Sequence, residues 1–104
     1  MATFDLVLQF RGRSVEDLDE LLEVEDALFE MLAVGEDLDG HEIGADARNI
    51  HIATADAEAT FRRLQPFLSD ARLLDGVIAA ARPMESGSYI VLWPHAHPAP
   101  FSLT

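Results

Sequence analysis

The groups in this chain able to do chemistry are four histidines and nineteen carboxylates; cysteine is absent. His95 and His97 form a His-x-His pair, a spacing at which two imidazoles can chelate one metal ion, but a closed site needs three or four ligands and no third lies near in sequence. They are the weakest of the candidates, and no metal or other cofactor is expected. His41-Glu42 does not begin a zinc-binding His-Glu-x-x-His pattern, because position 45 is Ala45. His51 shares the polar phase of an alternating segment with Asn49, and Asp5 and Gln9 share that of another. With Arg82 and Tyr89 these residues can converge on an open sheet face and line a small-ligand pocket, where a histidine beside a carboxylate would be a usable general base. The plainer expectation for the same residues is a half-solvated sheet face. No Gly-rich phosphate loop, nucleophile elbow or calcium loop occurs, so a catalytic role has no strong signal.

The carboxylates are distributed unevenly. All seven basic residues are arginines, and none falls between Arg13 and Arg48. Thirteen acids do, from Glu16 to Asp46, so this segment holds the whole excess behind the net charge of -12, while the rest of the chain is close to neutral. Glu16, Asp19, Glu20, Glu23, Asp26, Glu30, Glu36, Asp37, Asp39 and Glu42 are the residues expected to present it to a partner. Such a field attracts a basic protein and raises association rates, as in acidic inhibitors and immunity-type proteins; the alternative is a solvated face that serves solubility. Like-charge pairs at i,i+4, Glu16/Glu20, Asp19/Glu23 and Asp26/Glu30, each cost a few tenths of a kcal/mol. Mixed charge would give solubility without that cost. The sign argues against nucleic acid and anionic membrane surfaces as partners.

Several elements must position these groups. At 104 residues the chain has room for one domain, expected over 1–94, with an extended Pro-rich tail at 95–104. Residues 4–10 alternate as a half-buried strand. Ser14 offers an N-cap, with Asp17 three residues on, to a helix of roughly 18 residues, about 27 Å long, ended by Gly35. Its apolar stripe is Leu18, Leu21, Leu22, Val24, Leu28, Met31 and Leu32. An acidic loop, a short extended piece at 40–43 and a reversal at 44–47 lead to a second alternating strand at 49–54. Asp56 caps a second helix through Phe61, Leu64 and Leu68, in which Pro66 is expected to kink the helix or end its regular part. Strands follow at 77–82 and 89–93, around a turn at 85–88. Trp93, with Tyr89 and Val91 on its phase, is expected in the core. No signal peptide and no apolar run of membrane-spanning length is read, so a cytoplasmic location is expected.

The order β-α-β-β-α-β-β is expected to form a ferredoxin-like α+β fold, an antiparallel sheet with two helices on one face, extended by a closing hairpin. Asp39-Gly40-His41-Glu42-Ile43-Gly44, Asn49-Ile50-His51-Ile52, the helix with Asp56, Phe61 and Pro66, and Tyr89-Ile90-Val91-Leu92-Trp93-Pro94 together resemble a group of small bacterial proteins of unassigned function. The resemblance spans residues 39–94 and implies the same fold. His51 stands where an aromatic is usual in that group, so the resemblance implies no role for it. The leading expectation for function is a non-enzymatic binding module whose acidic segment engages a basic protein partner. The alternatives are a small-molecule binder or enzyme of the dimeric ferredoxin-like type using the open sheet face, and a homodimer or larger homo-oligomer whose sheets pair.

Overall fold

The computed structural model describes residues 3–11, 18–43, 47–71, 76–84 and 87–94. Ser14, Glu16, Asp17, the reversal at 44–46, the turn residues 85–86 and the tail with His95 and His97 lie outside the described residues. Alternating apolar residues make β1 (Phe4–Arg11) and β3 (Ala47–Thr54), and a continuous apolar run makes most of β4 (Val77–Pro83). Between them run α1 (Leu18–Met31), β2 (Asp37–Ile43) and α2 (Ala57–Asp70), and β5 (Ile90–Trp93) ends the order. The five strands form one antiparallel sheet in the order β2-β3-β1-β4-β5. This α+β layout has one strand more than a simple four-stranded sheet, because β5 adds to the outer side of β4.

β1 is the central strand, paired along its length with both β3 and β4. Its even phase, Leu6, Leu8 and Phe10, joins Ile50, Ile52, Val77, Ala79 and Ala81 to form one face. Against that face pack Leu28 of α1 and Ala57, Phe61, Leu64 and Leu68 of α2, which makes a single core. Trp93 adds to its margin, its ring 6.3 Å from that of Phe61. No helix is long and apolar enough to cross a membrane among the described residues.

Three local outcomes differ from the pattern in the sequence. α1 ends at Met31, before the last residue of its apolar stripe: after Met31 the chain turns through Gly35, whose φ is 88°, and Glu36 N–H donates to Ala33 O. Pro66 does not end α2, which continues to Asp70. The proline is exposed, so the Arg62 carbonyl that loses its N–H donor can turn to water. The acidic stretch expected as a loop is instead the first half of a seven-residue edge strand, β2. Pairing with β3 overrides the poor strand propensity of Asp37 and Asp39.

β2 carries one extra residue relative to β3 between Leu38 and His41. Gly40 absorbs it with φ of 104°, a conformation that strains any residue bearing a Cβ. An added Cβ would meet nothing within 4 Å, so the cost is backbone strain alone. Gly40→Ala is therefore expected to destabilise the fold by about 1–2 kcal/mol, read as a lower urea midpoint with an unchanged slope.

Candidate functional site

Asp5, Val7 and Gln9 point away from the helices, as do Asn49, His51, Ile78, Ala80 and Arg82 on the neighbouring strands. This second face is not the open, solvated surface expected from its polar phase: Val7 and Asn49 are 0% exposed and Gln9 is 1% exposed. Gln9 and Asn49 are cross-strand partners, and the Gln9 amide donates to Asn49 Oδ1 at 2.9 Å. Burying one amide is costly unless another amide satisfies it. The pair therefore fixes register at the middle of the sheet.

Toward the other end of β1 a charged network forms. His51 lies diagonally from Asp5 across the β1/β3 ladder. Its Nδ1 is 3.0 Å from Asp5 Oδ1, and its Nε2 is 2.6 Å from Glu42 Oε1. Tyr89 Oη donates to Asp5 Oδ2 at 2.6 Å. Arg82, directly opposite Asp5 on β4, lies over the Tyr89 ring with its guanidinium carbon 4.8 Å from the centroid. Glu42, His51, Asp5 and Arg82 thus come from four neighbouring strands, and Tyr89 immediately precedes the fifth.

With a carboxylate at each ring nitrogen, both bonds of His51 form only when both nitrogens carry a proton. The hydrogen bond to Asp5 raises the His51 pKa above its ordinary value; burial opposes this, and Glu42 reinforces it. Burial pushes the Asp5 carboxyl up, but the bonds from His51 and Tyr89 and the charges of His51 and Arg82 more than offset it, leaving Asp5 below the usual carboxylate range. The Tyr89 hydroxyl is held protonated, first by burial and then by its bond to Asp5. The geometry thus brings His51 beside the Asp5 carboxylate and sets a second carboxylate, Glu42, at its other ring nitrogen. The arrangement is an electrostatic clasp across the sheet.

The acidic segment divides into two groups. Glu25 is turned inward, its Oε1 against His41 Nδ1. Glu36 accepts from Ala33 N–H and from the Thr60 hydroxyl, both at 2.8 Å, and pairs with Arg63. Arg63 also donates to Met31 O at 2.6 Å, satisfying an orphan carbonyl at the end of α1, whose last turn has no basic residue of its own. Burial raises the Glu36 pKa, but the Ala33 N–H, Arg63 and Thr60 outweigh it, so the carboxyl lies below its usual range. Glu36 is thus a clamp between the α1–β2 turn and α2.

Glu23, Asp26, Glu30, Asp37 and Asp39 are exposed, and among the described residues none of them is in an ion pair. Asp19 and Glu20 lie on α1. Amid the exposed acids of α1 stand two apolar side chains that the stripe reading misplaced or missed: Leu22, 41% exposed, and Phe29, 65% exposed. The helical angle of 100° per residue puts Phe29, Leu22 and Asp26 side by side on the outer face, with Glu30 and Glu23 next. Seven-residue spacing of Leu22 and Phe29 was the available signal.

Among the described residues no cluster of three or more histidine or acidic side chains could hold a metal ion. Comparison with known proteins found no family model, curated protein or solved structure that matches the chain.

The clasp sets a pH profile. His51, with a raised pKa, stabilises the fold fully below its ordinary value of 6.5 and loses that contribution as pH rises through the raised value. Asp5 and Glu36, with lowered values, contribute fully above their ordinary 3.8 and 4.5 and lose it as pH falls through the depressed ones. Thermal stability is expected to be greatest between about pH 5 and 6.5, with a loss toward pH 8 that shrinks in His51→Gln. Tyr89→Phe, which removes one donor to a buried carboxylate, is expected to cost about 1–3 kcal/mol at pH 6.

Proposed function

We propose that this chain is a non-enzymatic binding module that engages a basic protein partner through the outer face of α1 and the neighbouring β2 edge, in the manner of an inhibitor or immunity-type protein. The observation that carries this reading is Phe29, 65% exposed among Glu23, Asp26 and Glu30. An aromatic left in water forgoes a large burial energy, and a rigid apolar anchor inside a charged rim is the anatomy of a protein-binding hot spot. Helix physics alone disfavours these acids. Asp26 and Glu30 repel at i,i+4, and Glu30 sits at the negative end of the dipole of a helix with no base in its last turn. Asp37 and Asp39, exposed on β2, extend the field beside α1.

The fold supports the reading by its rigidity. We read it as ferredoxin-like: each helix joins two strands with one strand between them, β1 to β2 across β3 and β3 to β4 across β1, and β5 is an addition at the edge. The clasp and the Glu36 clamp fix β2 and the end of α1, so the binding face needs little ordering on association. Burial of Val7, Gln9 and Asn49 at the middle of the second face weighs against a ligand pocket there.

Affinity capture from cell extract at low and high salt tests the proposal. The wild-type chain is expected to retain a basic protein at low salt and release it at high salt. Phe29→Asp should weaken that complex by about 2 kcal/mol or more while changing stability by no more than about 0.5 kcal/mol. Asp26→Lys should slow association. Equal capture by wild type and both variants would contradict the proposal.

A further inference from the structure

The two edges of the sheet are built differently. β2 is guarded: it carries Asp37, Asp39 and Glu42 and is kinked by the extra residue at Gly40. Charge and a bulge are the means by which an edge avoids pairing with another chain. β5 has an extra residue of its own, Leu92, between the partners of Ala80 and Ala79, but it carries no charged side chain. Residues 90–92 are Ile90, Val91 and Leu92, and among the described residues no strand lies beyond them. Ile90 is 68% exposed. It pairs with Ala81 and so faces the helix side of the sheet. There α2 leaves a groove of about 370 Å³ beside β5, with Phe61, Leu92 and Trp93 in its wall and Glu58 and Arg62 from α2. One acid and one base leave that rim without net charge.

From these features we infer that β5 pairs edge to edge with β5 of a second copy of this chain, antiparallel about a two-fold axis, merging two sheets into one. The four-residue strand is apolar throughout and self-complementary. A pairing centred on Val91 sets Ile90 of each copy opposite Leu92 of the other, on the face that carries both grooves, burying the exposed side chain by the same contact in each copy, as an isologous interface requires. The net charge of -12 does not oppose this association. The strand order puts α1 and β2, which hold the described exposed acids of the 16–46 segment, at the edge opposite β5. In a ten-stranded sheet the two β2 strands are nine spacings of about 4.8 Å, or roughly 43 Å, apart. That is several times the Debye length of about 8 Å at physiological salt. Pairing through β2 would instead bring the acids together.

Mass measured in solution on the full chain, by sedimentation or light scattering, tests the inference. At concentrations of the order of 100 µM the expected mass is twice 11.4 kDa. Ile90→Lys should return it to that of a single chain with its circular dichroism intact, and Phe29→Asp should leave it doubled. A single-chain mass for the wild type overturns the inference and leaves the groove to an extended segment of a different protein. A dimer that survives Ile90→Lys, or that Phe29→Asp dissociates, overturns it equally. Should Ile90→Lys fail to fold, amide hydrogen exchange on the wild type decides: protection within 90–92 must rise with protein concentration, and protection independent of concentration overturns the inference.

Discussion

A carboxylate buried on the central strand is the constraint around which this structure is arranged. Asp5 is 6% exposed, and a charge so placed is tolerated only when it is paired and hydrogen-bonded. Its partners are drawn from across the sheet: His51 from β3, Tyr89 from the approach to β5, and Arg82 from β4 facing it. His51 in turn holds Glu42 of β2. A one-residue slip of either neighbouring ladder would carry His51 or Arg82 to the opposite face and leave Asp5 unpaired. Satisfying one buried charge therefore specifies the register of β3 and β4 on β1.

Strand phases were the most legible part of the fold. Alternation in residues 4–10 and 49–54 identified both the core face and the polar face, and Asp56 was readable as a cap because its side chain meets Ala59 N–H. The polar set Asp5, His51, Arg82 and Tyr89 was also legible as a set. Its chemistry was not, because that depended on Glu42 reaching the second nitrogen of His51, and on how β2 is offset by Gly40. Periodicity likewise could not show that Glu36 is a clamp. Its partners, Thr60 and Arg63, are 24 and 27 residues away and meet it only when the two helices dock. Phe29 escaped the stripe reading for the opposite reason: it is a large apolar residue on the polar phase.

Acidic residues in this chain therefore do two different jobs. Asp5, Glu25, Glu36 and Glu42 each face a histidine or an arginine and hold elements together. Glu23, Asp26 and Glu30 hold nothing among the described residues, and they crowd one helix face around an exposed aromatic. The same residue type is inward and compensated in one place, outward and uncompensated in another. A net charge read from composition hides that division. The proposed binding function rests on the second group, and the rigidity that presents it rests on the first.

The most direct test of that division is a comparison of melting temperatures at pH 6 and low ionic strength between Asp5→Asn and the triple variant Glu23→Gln, Asp26→Gln, Glu30→Gln. The account predicts opposite signs. Asp5→Asn should melt well below the wild type, because His51 loses its charged partner inside the sheet. The triple variant should melt at or slightly above the wild type, because it relieves like-charge repulsion and an unfavourable charge at the end of α1. A triple variant that melts well below the wild type would contradict the claim that the outer acids are free of structural work.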